Sequence, residues 1–263
     1  MSRVSVEIEN HIARVTLTRG DKMNALDPAM IDGIIEAGES LIDNEDVRAV
    51  VLAGEGESFC AGLDVMSFGM LATQDPVEVL MPRSHGDSNR FQQVCMVWQK
   101  IPVPVIAALK GAVLGGGLQI ALGADIRIAA PGTRLSVLEM KWGLVPDMGG
   151  MVILPRLLRS DVLRKLTYTN EMVEAEQAEA WGLVTELADD PEAAALALAE
   201  QIAGKSPSGM RSAKALIGYA EANLHDTDAV LLEESRAQAA LIGKPHQMEV
   251  IAANMQKRAP KFS

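Results

Sequence analysis

The chain has 263 residues, 48% of them apolar but only nine aromatic, so its core must be built mainly from aliphatic side chains and alanine. A formal net charge of −11 argues against a nucleic-acid partner, which needs a basic footprint. No apolar run approaches the ~20 residues of a membrane span, and two cysteines, Cys60 and Cys95, make no disulfide framework, so a reduced, cytoplasmic protein without membrane contact is expected.

The first residues, "MSRVSVEIENHIARV", alternate in polarity rather than showing the basic-then-apolar form of a secretory signal. Residues 4–8 and 12–17 both alternate around a polar turn, which predicts an antiparallel hairpin at the edge of a larger sheet. The period then changes. Ile31, Ile34, Ile35, Leu41 and Ile42 form a helical stripe, with Asp27 suited to cap the helix and Pro28 to its first position. "VRAVVLAG", "VPVIAALKG" and "ADIRIAAP" are short, nearly continuous apolar runs, as in strands buried on both faces. Such strands alternating with helices predict an α/β fold with parallel pairing. Residues 66–93 are methionine-bearing and broken by glycine and proline, fitting either a pocket wall or a surface excursion. From about residue 157 the pattern is helical. "DPEAAALALAEQIAGKSP" carries its own cap, Asp190, and stop, Gly204, and "DAVLLEESRAQAALIG" is a further helix.

Residues 111–126, "GAVLGGGLQIALGADI", hold three consecutive glycines before a helical segment. Each costs about 0.5–1 kcal/mol relative to alanine inside a regular element, so a close approach to this backbone is expected. No Gly-Lys-Ser/Thr follows, so this is not a Walker loop; Ile120 stands where a dinucleotide fingerprint needs its third glycine. There is no G-x-S-x-G elbow, and the four scattered histidines predict no metal site. The remaining chemistry is polarisation by backbone N–H groups helped by carboxylates. A tight strand-to-helix turn would explain the glycines equally well.

Read together with "GEGESFCAGLDV" (residues 54–65) and "EMKWGLVPDMGGMVILPRLL" (residues 139–158), the glycine segment resembles the crotonase superfamily, the enoyl-CoA hydratases and isomerases. "KMNALD", "IPVPVIAALKGAVLGGG", "EAEQAEAWGLVTEL" and a basic, phenylalanine-bearing C-terminal tail extend the resemblance over nearly the whole chain. It implies a spiral of ββα units over residues 1–190 and a C-terminal helical trimerisation region over residues 191–263, giving a homotrimer or homohexamer. It implies an acyl-CoA substrate, with coenzyme A as part of that substrate and no permanently bound cofactor. The thioester oxygen would lie between the backbone N–H groups of Ala61 and Gly116, with Gly62, Gly115 and Gly117 around it. Backbone near Lys22, Ala25 and Leu26 would border the coenzyme A arm, and Lys257, Arg258 and Lys261 would reach its phosphates. Asp64 and Asp125 are expected to be structural, and Cys60, beside the expected oxyanion donor, is explained as well by a small buried residue as by a reactive one.

The resemblance also locates the acids. Family hydratases hold a water between two glutamates; here the first position is Gln119 and the second Glu139. An amide can orient a water but cannot take its proton. Asp147, in "VPDMGG", stands where several family isomerases carry a carboxylate. Glu139 and Asp147 are therefore the expected catalytic acids, for double-bond isomerisation first, hydration second, with a non-catalytic acyl-CoA binder or a ring-opening or decarboxylating relative as further alternatives. Plainer roles are an ion pair of Glu139 with Lys141 or Arg134, and a turn at Asp147 after Pro146. The acyl chain is not specified.

Overall fold

The computed structural model describes residues 2–64, 66 and 75–262. Nine strands are present among them: β1 (Val4–Glu9), β2 (Ile12–Leu17), β3 (Ala49–Gly54), β4 (Val105–Leu109), β5 (Ala112–Leu114), β6 (Ile126–Ala129), β7 (Arg134–Ser136), β8 (Val173–Glu174) and β9 (Glu186–Leu187). They form a six-stranded sheet in the order β1-β2-β3-β4-β6-β9 and a three-stranded sheet β5-β7-β8. The β1–β2 hairpin is antiparallel and sits at the sheet edge, Val4 opposite Leu17, while β2, β3, β4, β6 and β9 run parallel.

The continuous apolar runs are explained by a core on each face of the large sheet. Val15, Leu17, Val50, Leu52, Val105 and Ala107 face one core, together with Met30, Ile31 and Ile34 from helix Pro28–Ile42 and Val94, Val97 and Trp98 from helix Arg90–Lys100. The alternate residues Ile12, Ala49, Val51, Ala53, Ile106 and Ala108 face Ala195, Ala199 and Ala203 of helix Pro191–Ala203. Alanines four apart let that helix lie close on the sheet. The capping expectations have direct counterparts: Asp27 accepts from the Met30 N–H and Asp190 from the Ala193 N–H, each worth about 1 kcal/mol.

Helix Pro191–Ala203 thus belongs to the sheet's second layer, and the helices beyond it follow a different rule. Helices Pro207–Ala222 and Thr227–Leu241 contain no buried residue, and in Pro245–Met255 only Ala253 is buried. Their attachment to the core is largely polar. Lys214 Nζ donates to the carbonyls of Trp98 and Val103 and to Asp125 Oδ2 at 2.7 Å. Arg211 Nη2 donates to the carbonyls of Asn44 and Val47. Asp125 also accepts the Val105 N–H, so it joins β4 to this helix. A cavity of about 420 Å³ lies beside Lys214, lined by Leu122, Ile153, Leu157, Met210 and Ile217 among others. None of the described helices is long and apolar enough to cross a membrane.

Candidate active site

The glycine segment lies where two stretches of chain are stitched together. Cys60 pairs with Val113 of β5, its N–H donating to Ala112 and its carbonyl accepting from Leu114. Three residues on, Leu63 pairs with Leu26: the Leu26 N–H donates to the Gly62 carbonyl at 2.8 Å and the Asp64 N–H to the Leu26 carbonyl at 3.0 Å. Gly115 then turns the chain at φ 50°, ψ −119° into helix Gly116–Leu122. The reasons for the three glycines are different from one another. A Cβ on Gly117 would fall 2.2 Å from the Cys60 carbonyl oxygen, and one on Gly116 would meet Met148 Sδ at 2.7 Å and Leu26 Cδ1 at 2.9 Å. Gly115 has the φ that side chains resist. The close approach expected from the sequence is therefore made, at two of the three positions, by the protein itself.

Counting N–H groups corrects one expectation. The Ala61 N–H donates to the Met23 carbonyl at 2.9 Å, so it is not available to a ligand. Among the described residues, the Leu63 and Gly116 N–H groups have no hydrogen-bond acceptor. They belong to neighbouring stretches of backbone: a Cβ on Gly62, the residue before Leu63, would lie 3.5 Å from the Gly116 nitrogen. Gly62 has φ 88°, and this left-handed turn breaks the strand alternation that would send the Ala61 and Leu63 N–H groups the same way. Sequence spacing does not show that turn, although a glycine at that place hints at it. The Cys60 thiol is buried, donates to the Asn24 carbonyl, and is pushed up to about 12 by burial, so it is an inert packing residue.

The acids lie beside this floor. Glu139 opens the short 3-10 helix Glu139–Trp142 after β7, and a Cβ on Gly115 would lie 3.6 Å from its Oε1. Gln119, on helix Gly116–Leu122, donates from Nε2 to Glu139 Oε1 at 2.6 Å. The Gln119 carbonyl oxygen accepts from the N–H groups of Met148 and Gly150 at 2.9 and 3.0 Å. Gln119, expected from its motif position to border the substrate, is buried, with both ends of its amide held by protein groups. Glu139 Oε2 is buried and has no partner among the described residues. Burial raises the Glu139 carboxyl above its ordinary value, the Asp147 charge adds to that, and the Gln119 hydrogen bond partly offsets it. Neither Lys141 nor Arg134 makes an ion pair with Glu139 among the described residues; Lys141 instead lies over the Trp142 ring.

Asp147 immediately precedes the turn that Gln119 holds. Surrounding protein raises its carboxyl too, although the residue is exposed, so solvent limits the effect. Of the residues expected around it, Met148 is buried, while Trp142 and Met151 are about half exposed. With Met140, Leu144 and Val145 these make an exposed apolar rim between and beyond the two acids.

The Lys22, Ala25 and Leu26 backbone is internally bonded: Ala25 N–H donates to Lys22 O, and Ala25 O accepts from Arg19, which also grips Asp64 at 2.7 Å. The Leu26 side chain is in the core and Lys22 is exposed. The C-terminal tail folds back on its own helix, with Arg258 paired to Glu249 and Phe262 beneath the Arg48 guanidinium. Lys257 and Lys261 have no ion pair among the described residues. Within the methionine-bearing segment, residues 67–74 lie outside the described residues.

Residues 7–263 match the enoyl-CoA hydratase/isomerase family. The chain is similar to (E)-benzylidenesuccinyl-CoA hydratase of Thauera aromatica, 35% identical over 80% of either chain. It is 32% identical to the human mitochondrial Delta(3,5)-Delta(2,4)-dienoyl-CoA isomerase over 80% of this chain and 66% of that protein. The crystal structure of enoyl-CoA hydratase from Mycobacterium tuberculosis H37Rv superposes with a TM-score of 0.87 at 29% identity, covering 100% of this chain and 99% of that one.

Proposed function

The chain belongs to the enoyl-CoA hydratase/isomerase family, and within it we propose an acyl-CoA double-bond isomerase. The thioester oxygen is held by the Leu63 and Gly116 N–H groups, which stabilise the enolate that forms when a neighbouring C–H is deprotonated. Glu139 takes that proton and returns it to another carbon of the acyl chain, and Asp147 is the second acid of the site. Coenzyme A arrives as part of the substrate, its arm passing Lys22, Ala25 and Leu26, and no resident cofactor or metal takes part. The exposed apolar side chains of the C-terminal helices are covered by copies of the same chain in a trimer or hexamer.

The observation that carries this reading is the Gln119–Glu139 hydrogen bond. A water held for addition to a double bond would have one carboxylate and one amide around it, and the amide cannot accept its proton. A proton shuttle needs only one base, and Glu139, whose carboxyl burial raises above its ordinary value, is that base. Hydration is the second reading, favoured by the similarity to a protein named a hydratase.

The deciding experiment follows matched 2-enoyl-, 3-enoyl- and 3,5-dienoyl-CoA substrates in heavy water by mass spectrometry. Isomerisation predicts a shifted double bond with deuterium incorporated and no water gained. A 2-enoyl substrate that gains one water while the others stay unchanged would establish hydration in its place.

A further inference from the structure

We propose that Gln119 is a positioning residue that divides the labour between the two oxygens of Glu139, holding Oε1 and leaving Oε2 to take and return the proton. This rests on the reading of Glu139 as the acid/base group. Two backbone N–H groups, of Met148 and Gly150, converge on one terminal atom of Gln119 at 2.9 and 3.0 Å. Only the carbonyl oxygen can accept both, so the other terminal atom is the nitrogen. That nitrogen is 2.6 Å from Glu139 Oε1.

An amide nitrogen donates and does not accept. Oε1 must therefore be an acceptor, and a proton bound to Glu139 must sit on Oε2. Oε2 is the atom that is buried without a partner among the described residues. In the proposed reaction the C–H electron pair enters the thioester enolate, the proton passes to Oε2, and the same oxygen delivers it to the second carbon. The amide has no room to rotate away: Gln119 is 2% exposed, and a Cβ on Gly150 would fall 2.8 Å from its Cγ. Because the carbonyl end holds the Met148–Gly150 turn, the same side chain also sets Asp147, at the start of that turn, relative to Glu139.

The discriminating variant is Gln119→Glu. It keeps an oxygen for the two turn N–H groups but replaces the N–H donor with a second oxygen facing Glu139. The measurement is a carboxyl-carbon NMR titration of protein labelled at glutamate, with Glu139 identified by its loss in Glu139→Gln. The expected result is a Glu139 titration displaced upward by about one pH unit or more and coupled to the new carboxyl, with the melting temperature within a few degrees of the parent. An undisplaced titration in a folded variant overturns the proposal, since a purely structural glutamine would be replaced there without consequence.

The unmodified protein gives an independent check should that variant not fold. The Gln119 side-chain amide protons should shift with the Glu139 titration, and amide signals that ignore it would also overturn the proposal. In the active protein the acidic limb of kcat/KM should move with the NMR titration. If the titration moves as expected while no enoyl-CoA exchanges a proton with solvent, the positioning role stands and the isomerase assignment falls.

Discussion

In the floor of the site an added methyl group at Gly116 or Gly117 has nowhere to go; in the helices from Pro207 onward nearly every side chain has solvent beside it. All seven residues of helix Gly116–Leu122 are buried, and at Gly117 backbone passes directly against backbone. Beyond Pro207, Ile217, Leu231, Leu232, Ile242 and Met248 are each at least half exposed. The first region gains its shape from contacts within the chain. The second has exposed apolar side chains that the single chain leaves uncovered. The two regions should therefore respond oppositely to substitution.

The largest effect is expected in the floor. Gly117→Val should cost more than about 3 kcal/mol, because the obstructing atom is a backbone carbonyl that cannot turn aside. Urea denaturation, or loss of soluble protein, reads this out; a variant of parental stability would show that the floor is looser than described. Next comes the reaction itself. Glu139→Gln should lower kcat at least about a hundredfold with little change in KM, measured by deuterium exchange into an enoyl-CoA.

The same substitution has an opposite effect on stability. Burial raises the Glu139 carboxyl in the folded chain, so the folded chain holds that proton more tightly than the unfolded one. Stability from this group is fully present below the ordinary carboxylate range and is lost as pH rises through the raised native value. Glu139→Gln, which cannot ionise, should melt a few degrees above the parent at neutral pH and converge with it in acid. Differential scanning fluorimetry across pH checks the crossing; equal melting temperatures throughout would mean the carboxyl carries no burial strain.

Smaller effects are expected at the C-terminal helices. Leu232→Lys should leave the far-ultraviolet circular dichroism unchanged but reduce the sedimenting mass, if copies of the chain cover that face. An unchanged mass would place the assembly contact elsewhere. Smallest of all is Glu249→Ala. Glu249 is held down at about 2 by Arg258, whose ion pair pins the tail. Its removal should speed tryptic cleavage after Arg258 with no measurable change in melting, since exposed pairs contribute little.

The degree to which sequence disclosed structure follows the range of the interactions involved. The hairpin, the capped helix at Asp27, the doubly buried strands and helix Pro191–Ala203 all rest on residues within a few positions of one another, and periodicity and capping report them. Glu139 and Asp147 were singled out by motif position, and they adjoin the glycine floor and the turn beside it. The role of Gln119 was not legible, because its partners are 20, 29 and 31 residues away. Nor was it legible that the Leu63 N–H is left without an acceptor while the Ala61 N–H is taken by Met23, which depends on one left-handed glycine. The two-residue strands β8 and β9 are too short to leave a pattern.

The grip of Lys214 on the core has a further consequence for how the molecule opens. Its ammonium is closed in by two carbonyls and Asp125, and desolvation lowers its pKa, with the Asp125 charge acting against that. Helix Pro207–Ala222 cannot fray without stranding that ammonium and the Arg211 guanidinium away from their acceptors. In native-state hydrogen exchange its amides should consequently report the same opening event as β4, to which Asp125 binds it. The boundary of the cooperative unit then falls within the helical region, after Ala222, and the two last helices form a separate, less protected unit.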